Sequence, residues 1–102
     1  MKIDNRTIYV ESELVDIVYN KAIQKTLKEI RLKNNYSLNQ LVNKLNQKVS
    51  RQTLSKYETG KSKIRIYMLK QLADIYKITL EEFFTKITAN YLIELNCYLK
   101  DK

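Results

Sequence analysis

The six residues Ser50-Arg51-Gln52-Thr53-Leu54-Ser55 include five side chains able to make directional hydrogen bonds. A guanidinium can bridge the two major-groove acceptors of guanine, a carboxamide can make a two-point contact with adenine, and hydroxyls adapt to several bases. Arg51, Gln52, Thr53 and Ser55 are therefore candidates for reading nucleobase edges, and Lys56 is better placed for phosphate. The same side chains on an ordinary solvated helix face would only meet water, so local spacing leaves both readings open.

Other chemistries lack their residues. The chain has no His, which removes the commonest general base and metal ligand. Cys97 is the only cysteine and Gly60 the only glycine, so there is neither a thiolate cluster nor a glycine-rich phosphate loop. Glu81 and Glu82 are adjacent and point to different sides of a helix. The expectation is a protein that is not an enzyme, with no metal and no cofactor.

Charge placement strengthens the nucleic-acid reading. The 102-residue chain carries a net +8. Residues 1–20 balance to −2, residues 21–65 to +10, and residues 66–102 to zero. A positive excess confined to one segment suits a surface facing a polyanion, although a lysine face kept for solubility looks similar. No sustained basic amphipathic helix points to a membrane surface, and no run approaches the roughly 18 apolar residues of a span. The start, MKIDNRTIYVESE, has no signal-peptide apolar run, and a lone cysteine fits a reducing compartment. A cytoplasmic location is expected.

The elements that must position Arg51 and Gln52 can be read from apolar spacing and caps. Gly occurs once and Pro never, which favours helices joined by polar connectors. Residues 1–11 read as an arm, with Thr7–Glu11 either a short strand or a loose lead-in. From Ser12 to Lys33 the spacing is helical: Leu14, Ile17 and Val18 begin a stripe that Ile23, Leu27 and Ile30 continue, with a break possible near Asn20. Asn34-Asn35 stops it. Ser37 with Gln40 forms a capping box for a second helix carrying Leu38, Leu41, Val42 and Leu45.

After a polar turn, Asn46-Gln47-Lys48, Ser50 caps a third helix that Gly60 ends. Lys61–Arg65 is a basic loop. A fourth helix carries Met68, Leu69, Leu72, Ala73 and Tyr76, and Thr79 with Glu82 caps a fifth, through Phe83, Phe84 and Ile87. The ending Tyr91–Leu99 fits either period, with helix favoured because no turn residue precedes it; as a strand, it would pair with residues 7–11. The expected organisation is an arm or lead helix at 1–20, a helical domain at 21–87 and a tail at 88–102 that could serve dimerisation.

Two short helices joined by a tight turn are the pattern of a helix-turn-helix. The stretch Leu27–Phe84 resembles the Cro/C1-type (Xre) helix-turn-helix family. The blocks that carry the resemblance are Leu27-Lys28-Glu29-Ile30-Arg31, Ser37…Leu41-Val42…Leu45, Val49–Lys61, Leu69…Leu72-Ala73 and Ile78–Phe84. The block Val49–Lys61 is the specific one; the others add weight by falling at the required intervals. The resemblance implies an all-α, compact, five-helix lambda-repressor-like domain, here with an N-terminal arm and an additional C-terminal element. It implies that Arg51 and Gln52 are the main base readers, with Thr53 and Ser55 beside them. Ser50, Lys56, Lys61, Lys63 and Arg65 are then backbone contacts, and Arg31 and Glu58 form a structural ion pair.

Three departures stand out. Leu38 replaces the usual phosphate-donating Gln, Val42 replaces the Ala that allows close helix approach, and the turn is two residues longer, with Asn46 in place of Gly.

The function expected is sequence-specific binding of double-stranded DNA at a pseudo-palindromic operator, by a homodimeric, repressor-like regulator of bacterial or phage origin associated with the nucleoid. Tyr67, Met68, Phe83–Phe84 and Tyr91–Leu99 are candidate dimer surfaces. One alternative is an antitoxin- or inhibitor-type module that holds a protein partner through residues 1–20 or 88–102. Another is a non-specific nucleic-acid binder relying on charge alone, for which Gln52 and Thr53 would be superfluous.

Overall fold

The computed structural model of the chain describes residues 5–100, with side chains from residue 13 onward. Five helices follow one another: α1 (Asn5–Lys33), α2 (Leu38–Lys44), α3 (Arg51–Thr59), α4 (Ile66–Tyr76) and α5 (Leu80–Lys100). No strand occurs among the described residues.

The short helices begin and end where the caps require. Ser37 accepts from the Gln40 amide at 3.1 Å while the Gln40 side chain accepts from the Ser37 amide at 2.8 Å, closing a capping box. The Thr79 hydroxyl accepts from the Glu82 amide at 3.0 Å. Asn35 ends α1 at φ 61° and Lys77 ends α4 at φ 57°, both left-handed. Asn tolerates that conformation; Lys takes it at a cost of about 1–2 kcal/mol.

The long helices correct the reading of the first residues and bear out the favoured one at the other end. Residues 5–11 are neither strand nor loose lead-in but the first turns of α1, which passes Asn20 without a break. The helical disadvantage of Thr7, Ile8 and Val10 is only tenths of a kcal/mol each, and no Gly or Pro interrupts residues 5–33. Residues 1–4 of the arm lie outside the described residues. At the other end the favoured helix is present: Tyr91–Leu99 continues α5, which excludes the strand pairing with residues 7–11. Both helices cross the expected boundaries at residues 20 and 87 uninterrupted.

All five helices contribute to one core. Leu27 and Ile30 of α1 meet Leu41 of α2, Leu45 just beyond it, Leu54 of α3, Met68, Leu69, Leu72, Ala73 and Tyr76 of α4, and Phe83 and Ile87 of α5. Ile17 does not join the apolar stripe as its spacing suggested; it is 48% exposed, and Val18, Ala22 and Thr26 carry the buried line instead. Met68 and Phe83 are also fully interior, which removes them from the candidate dimer surfaces. Thr26 and Asn90 form a polar seam between α1 and α5. The Thr26 hydroxyl donates to the Ala22 carbonyl at 2.7 Å, and the Asn90 amide donates to Thr26 at 2.8 Å and to Glu29 at 3.2 Å.

This seam generates a stability prediction. Asn90→Ala removes its central donor inside the α1–α5 contact and should lower unfolding free energy by about 1–3 kcal/mol in urea denaturation. The exposed Asn96→Ala should change it by less than about 0.5 kcal/mol.

Candidate nucleic-acid interface

The candidate reading head begins at Ser50, whose extended backbone (φ −84°, ψ 162°) feeds into α3. Its hydroxyl accepts from the Thr53 amide at 3.1 Å and lies 2.9 Å from the Thr53 hydroxyl. One orphan amide of the helix start is thereby satisfied, and both hydroxyls are held at the leading edge. Leu54 is buried and Tyr57 packs partly against the core, so the opposite face of α3 must look outward. Gln52, Ser55, Lys56 and Thr59 share that face by helical spacing. Arg51, Gln52 and Lys56 are exposed, and Thr53 and Ser55 are half-buried.

The turn before α3 reaches this geometry by an unusual route. Asn46 and Gln47 are both left-handed, at φ 55° and 58°, and neither is glycine. The Gln47 amide donates to the Val42 carbonyl at 3.0 Å, and the Lys48 amide to the Leu45 carbonyl at 3.2 Å. These bonds fold the two added residues into a compact loop and return Val49 to the edge of the core. Leu38, which stands where a phosphate-donating Gln is usual, is half-buried and packs on the core as well.

The far end of α3 is fixed by charge. Arg31 Nε donates to Glu58 Oε2 at 2.7 Å and Nη2 donates to Oε1 at 2.9 Å, while Nη1 donates to the Tyr36 carbonyl at 2.9 Å. One guanidinium thus joins α1, the loop after it and α3. Both side chains are only 11% exposed. The bond to Glu58 raises the Arg31 pKa above its ordinary value, outweighing the opposing effect of burial. Tyr76 lies close by, with its ring centroid 5.9 Å from that of Tyr36. Burial holds the Tyr76 phenol well above the usual tyrosine range, and the nearby Glu58 carboxylate acts in the same direction.

Beyond α3, Gly60 adopts φ 80° and its amide donates to the Lys56 carbonyl. The Gln24 side chain of α1 lies over it, so close that a Cβ at position 60 would run into Gln24 Nε2. Lys61, Lys63 and Arg65 follow and are all exposed.

The structure thus presents one set of candidates at the amino end of α3 (Ser50, Arg51, Gln52, Thr53, Ser55 and Lys56) and another just past its carboxyl end (Lys61, Lys63 and Arg65). Three contributors were missed in the sequence. Thr59 lies on the outer face, its hydroxyl turned to the Ser55 carbonyl at 2.9 Å. Gln24 braces Gly60 from 36 residues away, and Tyr36 serves through its backbone carbonyl; neither leaves a motif. Among the described residues no cluster of acidic or cysteine side chains could hold a metal ion, and no helix is long and apolar enough to cross a membrane.

Two substitutions test how α3 is held. Glu58→Ala leaves the Arg31 guanidinium largely buried without its partner and should cost about 3–5 kcal/mol of stability by denaturant titration. Gly60→Ala should destabilise by about 1 kcal/mol or more, because positive φ and the Gln24 contact both oppose a Cβ, and pairing it with Gln24→Ala should recover part of the loss.

A helix-turn-helix family model matches residues 27–83, from the second half of α1 into α5. No curated protein and no solved structure gave a significant match. The matched span covers more than half the chain and contains the capped α2, the turn, α3 with its exposed polar edge, and the basic loop. This protein belongs to the Cro/C1-type helix-turn-helix family of DNA-binding regulators.

Proposed function

We propose that the protein binds double-stranded DNA sequence-specifically as a homodimer and acts as a repressor-like regulator. In this reading, residues 21–87 form the DNA-binding unit. Arg51 and Gln52 read base edges with Thr53 and Ser55 beside them, and Ser50, Lys56, Lys61, Lys63 and Arg65 grip the flanking phosphates. The observation that carries the proposal is the division of α3. Leu54 and Glu58 are held by the rest of the protein while Arg51 and Gln52 stand in solvent with nothing across them among the described residues. A helix anchored on one side and polar on the other can enter the major groove without first rearranging.

One such helix contacts few base pairs. Two copies on half-sites about 34 Å apart would double the contacts, which makes a pseudo-palindromic operator the expected target. Repression follows where that operator overlaps a promoter. A second reading rests on α1: Val15 and Ile17 are about half exposed and lie outside the span matched to the family. Two apolar side chains left in solvent on different sides of the helix suit a protein partner of the antitoxin or inhibitor kind, with or without DNA.

Selection from random duplex DNA at near-physiological salt should return a two-fold symmetric consensus. Against that consensus, Arg51→Ala and Gln52→Ala should each weaken binding by about 1–3 kcal/mol and relax the preference at one position per half-site. Lys61→Ala should weaken all sequences alike and reduce the salt slope by about one. If neither Arg51→Ala nor Gln52→Ala costs about 1 kcal/mol, the assigned reading head is wrong.

A further inference from the structure

Where the polar seam between α1 and α5 reaches the surface, it opens into a cavity of about 270 Å³. Thr26, Glu29, Ile30 and Lys33, spaced along one face of α1, form one wall; Lys86, Ala89 and Asn90 of α5 form the other. Asn90 is only 8% exposed. Its amide nitrogen uses both protons inside the protein, one on the Thr26 hydroxyl and one on the Glu29 carboxylate. The Thr26 proton already goes to the Ala22 carbonyl, so both partners of that nitrogen can only accept. The amide therefore has one orientation, with Asn90 Oδ1 turned away from them. That oxygen accepts no bond among the described residues, and no sealed side-chain oxygen or nitrogen there lacks a partner. Asn90 Oδ1 thus faces open space, and the open space that Asn90 lines is this cavity.

The charges at the rim are also unused. The ion pairs among the described residues are Lys25–Glu94, Arg31–Glu58 and Lys70–Asp74. Glu29, Lys33 and Lys86 belong to none of them, although Glu29 and Lys33 are four residues apart on one helix, a spacing that favours pairing. The site therefore offers an ammonium group from each wall, one carboxylate, a buried carbonyl oxygen, and an apolar patch from Ile30 and Ala89. A bare cation would be repelled by the two lysines, and a polyphosphate by Glu29. A carboxylate and an ammonium group side by side satisfy the whole set: the first between Lys33 and Lys86, the second against Glu29 and Asn90 Oδ1. That pair on one carbon is the head of an α-amino acid. The cavity has room for a side chain of about leucine's size against Ile30 and Ala89.

We infer that this cavity binds a free aliphatic α-amino acid, clasped between α1 and α5. The inference does not depend on the DNA reading. No residue of α3 or of the loop after it lines the cavity, and Thr26, Lys86, Ala89 and Asn90 lie outside the span matched to the helix-turn-helix family.

NMR titration of the isotope-labelled full chain with L-leucine tests it. Leucine should bind with a dissociation constant of about 1 mM or tighter, as suits so few atoms in an open site, and should move the Asn90 side-chain amide signals. Isocaproate, which is leucine without its amino group, and isoamylamine, which lacks the carboxylate, should each bind at least about 10-fold more weakly. Lys33→Ala and Lys86→Ala should each weaken leucine binding about fivefold or more, whereas Lys28→Ala, on the opposite face of α1, should change it less than about twofold. Lys33 is exposed, so its variant serves even if Lys86→Ala fails to fold. No leucine-dependent shift up to about 10 mM overturns the inference. So does isocaproate that binds as tightly as leucine, or a folded Lys33→Ala variant whose leucine affinity is unchanged.

Discussion

The orientation of α3 depends on the guanidinium of Arg31. A nine-residue helix is far below the length at which an isolated helix is stable in water, so its direction must come from what holds it. Leu54 supplies depth by entering the core, but a single apolar anchor leaves a short helix free to pivot. The two-point bond from Arg31 to Glu58, one turn further on, removes that freedom. The third donor of the same guanidinium ties in the loop that leads to α2. The positions of both short helices are therefore referred to the long α1. The net energy of a buried ion pair is small, but its directional demand is large, and here direction is what the site needs.

The elements around the site were legible because local chemistry decided them. Ser37 with Gln40, Ser50, Thr79 with Glu82, and Gly60 each satisfy or release backbone groups within a few residues, so their role shows in the string itself. The outward set on α3 was legible for a related reason: one buried leucine fixes the helix phase, and the exposed positions follow. The chain ends were less legible. Thr7-Ile8-Tyr9-Val10 has strand-like composition, and what made it helical was the absence of any stop signal before Asn34. Ile17 was misplaced because its spacing matches Leu14 and Val18 while the opposing surface, supplied by α5, favours Val18 and Ala22. Gln24 over Gly60 and Asn90 against Thr26 are contacts across 36 and 64 residues, set by tertiary packing and absent from any short window.

Charge and apolar surface are kept apart. The positive residues that suit a polyanion lie in and around α3 and the loop after it, whereas the outer face of α5 beyond Ile87 is almost uncharged. A protein that must attract DNA and also associate with something else faces opposite electrostatic demands on its surface, and separating them along the chain meets both. The long turn belongs to the same economy. Asn46 tolerates the left-handed conformation, Gln47 accepts it at about 1–2 kcal/mol, and the extra length delivers Val49 back to the core edge just before the reading edge begins.

The unbroken course of α5 from Phe83 to Leu99 has a consequence for its far end. A glycine-rich tether would let that end swing over the rest of the domain. A continuous helix has no hinge to allow it, so anything held there would keep one distance and one rotational phase relative to α3.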